Sequence, residues 1–524
     1  MSVPNRPTEY SYNTTGNLVG VTSPNGLART YTRDAADRLT GVTADEKNFA
    51  YEYYGDGLIK SITYPGGNIV TTYIYDNAKR ITKLETKNGS NVLKTYSYKY
   101  DDVGNITSVS GSESAVYTYD ELNRLKTATE NGYTVTYEYD NRNNLISETR
   151  DDGYVKTYEY SGDNRLTKTT ENGTETLYEY DLNGNLIKRG DDEFAYDSND
   201  KLVYSKVNGV ESVYKIGEDG LRRAKITSGI TTTYSIDENG NVITEGNDEI
   251  IIGNVPLAKK IDGQYYYYIY NAHGDVVMIV DESGSIKNTY RYDAWGAIVS
   301  ETETINNSHK YAGQYYDDDT GLIYLRARYY DPQDRRFTQE DPARDELNWY
   351  AYCGNNPVMF VDLTGESASG TAFLAAVGTC AVDGVITGAI YKWKGEPFGA
   401  GFINGFVSCL GTEAGAVIGA KTGHPYIGII IGNSIGEAAG SMVETIMRNE
   451  VYGDDITIEE AAESAAQAAA TGIISGVGSS YIKYAIELAD AAGSAAKTLT
   501  KYDEKFGKAL EVFFDKLSTI LSSQ

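Results

Sequence analysis

Between residues 70 and 190 the chain keeps returning to one pattern of apolar and polar positions. Two tyrosines stand one residue apart and an aspartate follows. Two or three polar residues with Gly, Asn or Arg come next, then Leu or Ile. The clearest copies read YIYDNAKRI, YKYDDVGNI, YTYDELNRL, YEYDNRNNL, YEYSGDNRL and YEYDLNGNL. With Asp76, Asp101, Asp120, Asp140, Ser161 and Asp181 as markers, the steps are 25, 19, 20, 21 and 20 residues. Looser copies reach Asn13 and Asp34 upstream and Asp197 and Asp237 downstream. Residues i and i+2 of a strand share a face, so both rings of a copy line one side of a sheet. The aspartate can accept bonds from backbone N–H groups of the turn, Gly or Asn supplies a positive φ, and Leu or Ile starts the returning strand. Each copy is about one β-hairpin. A lone hairpin is marginal in water, so the period predicts neighbours stacked side by side over a shared buried face.

After residue 365 the pattern changes. Only six of the 47 tyrosines lie there. Glycine recurs every fourth residue at Gly384 and Gly388, at Gly401 and Gly405, at Gly411, Gly415 and Gly419, and at Gly428, Gly432, Gly436 and Gly440. On a helix that spacing makes a ridge against which another backbone can pack closely. Each such glycine costs about 1 kcal/mol relative to Ala in a water-exposed helix, so the rows predict tight helix packing or a membrane. Residues 371–390 and 398–420 are nearly long enough to span a bilayer, but Asp383 and Glu413 interrupt them. They read as conditional inserters rather than anchors. Thr457 and Glu460 have capping-box spacing, and Gly472 can close that helix. Phe506, Leu510, Phe513, Phe514 and Leu517 form an amphipathic stripe.

Composition narrows the function classes. A chain of 524 residues is long enough for two or more units. A net charge of -27 disfavours nucleic acid as a partner for the outer surface. In residues 366–524 Lys and Arg number 10 against 18 Asp and Glu, which disfavours a nuclease there. Abundant Tyr suits a partly wet sheet face, where the ring packs and the hydroxyl finds a partner. Cys353, Cys380 and Cys409 fit no metal or disulfide spacing, and His273, His309 and His424 are isolated, so no metal and no cofactor is expected. The N-terminus lacks the basic and apolar regions of a secretory signal and starts as if inside a repeat. The chain is therefore expected to be the tail of a longer protein or to be exported by another route.

The copies resemble the YD repeats of the RHS and teneurin-type families over about residues 8–365. Residues 265–365 resemble the RHS repeat-associated core, in YDAWGAIVSETETINNSHKYAGQYYDDDTGLIYLRARYYDPQDRRF and NWYAYCGNNPVMFVDLTG. The resemblance implies a mainly β fold, with YD hairpins spiralling into an open or partial β shell and an α-helical, Gly/Ala-rich C-terminal domain after it. It implies repeats over 1–264, the core over 265–365 and a variable C-terminal region over 366–524. It also implies a polymorphic toxin, secreted or at the cell surface. The partners expected are its own C-terminal region as enclosed cargo, a cognate immunity protein and a target membrane. The alternative is a cell-surface structural protein that binds carbohydrate and carries an inert helical tail.

In many members of the family two aspartates cut the chain just after an Asp-Pro-x-Gly-Leu sequence. The matching positions are Asp341 and Asp362, with Asp331 as a nearby third candidate and Arg328 able to fork onto one carboxylate, and the cut is expected near Gly365 or Glu366. Two close carboxylates cannot both ionise easily, so one serves as base and the other as acid. This chain departs from the pattern: Leu363 stands for the Pro and Glu366 for the Leu, and the segment after Pro342 is shortened. A shortened loop would move Asp341 relative to Asp362, and such a pair tolerates little displacement. The simpler alternative is that Asp331 and Asp341 only cap turns ahead of Pro332 and Pro342.

Overall fold

A computed structural model describes residues 7–13, 17–36, 38–342, 348–366 and 368–370, together with helical residues 462–464, 466–467, 469–470, 512, 515–517 and 519–520. The chain divides into two units, Met1–Ala375 and Ala376–Gln524. In the second, Ala462, Ala466, Ala469 and Ala470 are buried and Lys516 pairs with Glu463 at 3.2 Å. These residues lie inside two of the segments read as helices. The glycine rows, the two near-spanning segments and His424 lie outside the described residues. No helix among the described residues is long and apolar enough to cross a membrane.

The first unit is a strip of antiparallel strands running from Glu9–Tyr12 to Ile298–Thr302, thirty among the described residues. Each strand pairs with its neighbours in sequence, as Tyr133–Tyr139 does with Leu125–Glu130 and Leu145–Arg150. The YD turn explains the regularity. Asp140 Oδ1 accepts the N–H groups of Arg142 at 2.9 Å and Asn144 at 2.8 Å, while Oδ2 accepts the Asn144 amide at 2.9 Å. Asp76 does the same with Ala78 and Arg80, the Arg80 Nε taking the part of the amide. The residue three after the aspartate has positive φ, as at Asn123, Asn143, Gly184 and Gly240. Gly217 holds the aspartate's place in one copy and keeps the backbone bond to the Leu221 carbonyl, so the turn tolerates loss of the carboxylate. The residue four after the aspartate also reaches the next turn: Asn144 bonds Asn164 Oδ1 at 3.0 Å and Arg80 bonds the Asp101 carbonyl at 3.3 Å.

The paired tyrosines share a face, and they divide the work. The first is buried, as at Tyr73, Tyr117, Tyr137 and Tyr158, beside the returning Ile81, Leu125, Leu145 and Leu166. The second is half-buried, and its hydroxyl donates to the carbonyl that opens the neighbouring return strand. Tyr119 bonds the Ile106 carbonyl, Tyr139 that of Leu125 and Tyr160 that of Leu145, each at 2.7 Å. The register shifts by one residue just before this tyrosine in each case, and such bulges bend a strip.

The strip curls until its start meets its end through side chains. Arg29 pairs with Glu249 at 2.6 Å, Val21 packs with Ile243, Ile250 and Ile252, and Lys47 pairs with Glu282 at 2.8 Å. Further along, Phe49 meets Tyr267 edge-on and Tyr64 donates to the Tyr268 carbonyl at 2.7 Å. A cap over residues 305–366 follows, built on a sheet of Tyr315–Asp317, Leu322–Tyr324, Tyr329–Asp331 and Arg336–Phe337.

The cap docks on one row of atoms, the carbonyls of the left-handed turn residues. Asn356 bonds that of Asn123, Asn348 and Asn355 that of Asn143, and Arg336 that of Asn164. Tyr350 bonds that of Gly184, Gln339 that of Asp200 and Arg326 that of Gly240. Buried ion pairs add to this. Arg222 pairs with Asp317 at 2.8 Å inside a cage of Tyr214, Tyr234, Tyr315 and Tyr324 rings. Burial alone would raise the pKa of Glu245, but Lys259 at 2.8 Å holds it down at about 2, helped by the Tyr315 and Ser308 hydroxyls.

This packing sets what each loss costs. Asp140→Ala strands two backbone donors, removes one of the Asn144 amide's acceptors and lowers stability by about 1–3 kcal/mol, and Tyr139→Phe by about 1 kcal/mol, as read from the urea midpoint. Arg222→Ala leaves Asp317 buried without its partner and costs about 3–5 kcal/mol. Limited proteolysis should then open the cap before the strip. The depressed carboxyl of Glu245 contributes stability at pH values above its ordinary 4.5, lost as the pH falls towards 2. Glu245→Gln should flatten the acid limb of a thermal-melting series against pH.

Candidate functional site

The border between cap and C-terminal region is the turn of a small hairpin. Phe360–Asp362 pairs with Ala368–Gly370 in antiparallel register, Asp362 facing Ala368. Three consecutive carbonyls of the turn are gripped by three consecutive residues of the cap. Arg326 Nη1 donates to the Leu363 carbonyl, the Ala327 N–H to that of Thr364 at 3.0 Å, and Arg328 Nε to that of Gly365 at 2.5 Å. Arg326 has a φ of 67°, a conformation uncommon outside glycine and frequent where a segment is held for a task. Gly365 has a φ of 78°, and a Cβ there would lie 2.7 Å from the Leu325 carbonyl oxygen and 2.8 Å from the Arg328 nitrogen. Only glycine fits this close approach.

Arg328 is the centre of the arrangement. Its Nη2 lies 3.6 Å from Asp341 Oδ1 and 3.6 Å from Asp362 Oδ2. The two carboxylates are therefore no further apart than twice that length. All three side chains are at least 95% buried. The Phe337 ring sits 3.6 Å from the Arg328 guanidinium carbon, and Nη1 donates to the Trp349 carbonyl at 3.0 Å, which fixes the fork. Asp362 Oδ1 accepts the Gly365 N–H at 2.8 Å and the Thr364 N–H at 3.1 Å. Burial raises the pKa of Asp362 above the usual carboxylate range, and Arg328 and these N–H bonds offset only part of it.

Of the four residues singled out in the sequence, the structure brings together Asp341, Asp362 and Arg328. Asp331 belongs to a separate cluster. It pairs with Arg189 of the strip and accepts the Gln333 N–H at 2.8 Å, while neighbouring Asp334 pairs with Lys156 at 2.9 Å. It caps a turn ahead of Gln333 and anchors the cap to the strip. Sequence reasoning missed Arg326 and Ala327, which hold the turn beside Arg328. The signal available was LRAR itself, two arginines alternating with apolar residues immediately before the Tyr329–Tyr330 pair.

Comparison with known proteins bears on the strip and cap. Residues 62–155 and 252–358 match the teneurin YD-shell family model, and residues 12–47 and 139–174 match the RHS repeat. The tRNA3(Ser)-specific nuclease WapA of Bacillus spizizenii is 33% identical over 365 residues, 64% of this chain and 15% of that protein. Toxin protein Tse5 of Pseudomonas aeruginosa is 34% identical over 94 residues, 18% of this chain and 7% of its own. This chain thus spans a small fraction of the length of either relative. The crystal structure of TcdB2-TccC3-TEV superposes with a TM-score of 0.60 at 22% identity, over 68% of this chain and 21% of that one, a likeness of fold. The chain belongs to the RHS/YD-repeat family in its teneurin YD-shell form, and is related to the family's polymorphic toxins.

Proposed function

We propose that this chain is the closing portion of a toxin-carrying β shell, and that it cuts itself at the border between the cap and residues 366–524. The observation that carries the reading is the convergence on Arg328 of two buried carboxylates and the Gly365 carbonyl. A carbonyl held by a guanidinium is polarised towards attack, and the charge that develops on its oxygen is met by the same group. Asp341 takes a proton from the attacking water. Asp362, its pKa raised, gives a proton to the departing Glu366 nitrogen. One C–N bond is hydrolysed, leaving a carboxylate on Gly365 and an amine on Glu366.

The domains on this reading are the repeats over 1–264, the core over 265–365 and a helical effector over 366–524. The glycine rows support helices that pack closely or enter a membrane. The C-terminal region is then the shell's own cargo, an immunity protein its expected antagonist, and the shell is secreted or displayed at a cell surface. The nuclease activity in the name of the Bacillus relative belongs to a protein of which this chain covers 15%. The acidic balance of residues 366–524 disfavours a nucleic acid as target.

Mass spectrometry of the purified full chain tests the cut. Two fragments meeting at Gly365 and Glu366 are expected, with Asp341→Asn and Asp362→Asn each slowing their appearance by at least a hundredfold. The rate should fall as the pH rises through the raised pKa of Asp362, because the acid must keep its proton. A single intact species at every pH would remove the self-cleaving part. Liposome leakage by residues 366–524 tests the effector part separately.

A further inference from the structure

A cavity of about 310 Å3 lies where the strip near Tyr96–Ala115 meets the turns at Asn271–Asp275 and Asp293–Ala294 and the cap residues Pro357 and Val358. None of Arg328, Asp341 and Asp362 lines it. The rings of Tyr96, Tyr98 and Tyr117 face it. Four carboxylates line it as well, and each is already matched. Glu113 lies 3.5 Å from Lys94 and accepts the Tyr96 hydroxyl at 3.2 Å. Asp275 pairs with His273 Nδ1 at 2.9 Å and accepts the Ala312 N–H at 2.9 Å. Asp293 pairs with Arg335 at 2.9 Å. Glu130 accepts the Ala294 N–H at 2.7 Å and the Tyr117 hydroxyl at 3.0 Å, and burial, with Asp293 nearby, pushes its pKa up to about 8, so it holds its proton at neutral pH.

The nitrogen groups around the same space are not matched. Arg291 Nε is shielded from solvent and meets no acceptor, and among the described residues no carboxylate forms an ion pair with this arginine. Asn131 Nδ2 is likewise unmet, although the Tyr133 hydroxyl is near. His273 Nε2 faces the Pro357 and Phe360 carbonyls outside hydrogen-bond geometry. Buried donors are nearly always paired, so the shielded Nε of the part-buried Arg291 is a donor in want of an acceptor. An ammonium ligand would confront Arg291 with no spare carboxylate to receive it. A hydrocarbon would leave the donors unmet. A carboxylate supplies several lone pairs to the Arg291 and Asn131 nitrogens, and an apolar body fits the tyrosine rings. The volume, at the low end for ligand pockets, sets a small molecule.

We propose that this cavity binds a small organic carboxylate, its oxygens on Arg291 and Asn131 and its apolar body against Tyr96, Tyr98 and Tyr117. Because the cavity joins the early strip, the late strip and the cap, an occupant stabilises their docking by mass action. Benzoate is the probe, with glucose and inorganic phosphate as comparators, titrated into the full chain by calorimetry and thermal shift. Benzoate is expected to bind and raise the melting temperature. Arg291→Gln, folded by circular dichroism, should weaken binding at least tenfold, and Glu113→Gln should leave it unchanged or tighter. Absence of benzoate binding, equal binding to Arg291→Gln, or binding of glucose or phosphate alone overturns the assignment. If Arg291→Gln does not fold, Asn131→Leu carries the same comparison.

Discussion

Where a YD turn starts with aspartate, its carboxylate receives the two N–H groups that the turn would otherwise leave unmet, and in doing so it fixes where the left-handed residue points its carbonyl. Asp120, Asp140, Asp181 and Asp237 all do this. The consequence is a row of acceptors along one edge of the strip. An edge buried under other chain needs donors, because an unmet carbonyl away from water is costly. The cap supplies them with Asn356, Asn348, Asn355, Arg336, Tyr350, Gln339 and Arg326. The period of the repeat thus dictates the polar spacing of a segment up to 233 residues away.

Buried charge makes that docking selective rather than merely adhesive. Arg222 with Asp317, Lys156 with Asp334 and Arg335 with Glu148 and Asp293 each join strip to cap. Such pairs add little net stability over well-packed apolar residues, but a shifted cap would leave them broken at several kcal/mol each. One register therefore wins over its neighbours.

The same rigidity positions the border. Arg326, Ala327 and Arg328 sit between cap strands Leu322–Tyr324 and Tyr329–Asp331, so their geometry is inherited from the docked sheet. Gly365 is pressed onto the Leu325 carbonyl, which brings its own carbonyl under Arg328. The substitutions at Leu363 and Glu366 leave this grip intact, because it uses main-chain carbonyls and the glycine alone. A departure in the border's side chains is compatible with a held border, since those side chains are not what hold it.

Much of this could be read along the chain. Spacing alone identified the hairpins, the shared face of the paired tyrosines, the capping aspartate and the left-handed Asn or Gly, because each is a contact within about five residues and is written in local order. The second tyrosine's hydroxyl was expected to find a partner, but which carbonyl it meets depends on the bulge and the strand alongside. Asp331 illustrates the limit. In sequence it is as near to Arg328 as a site residue could be, yet the strand it sits on turns it towards Arg189, 142 positions away. Asp341 and Asp362, 21 positions apart, are brought to one guanidinium only because the cap folds around Phe337 and Trp349. The unmatched Arg291 was invisible for the same reason. Whether a charge has a partner is settled by which distant segments close over it, and no local pattern records that.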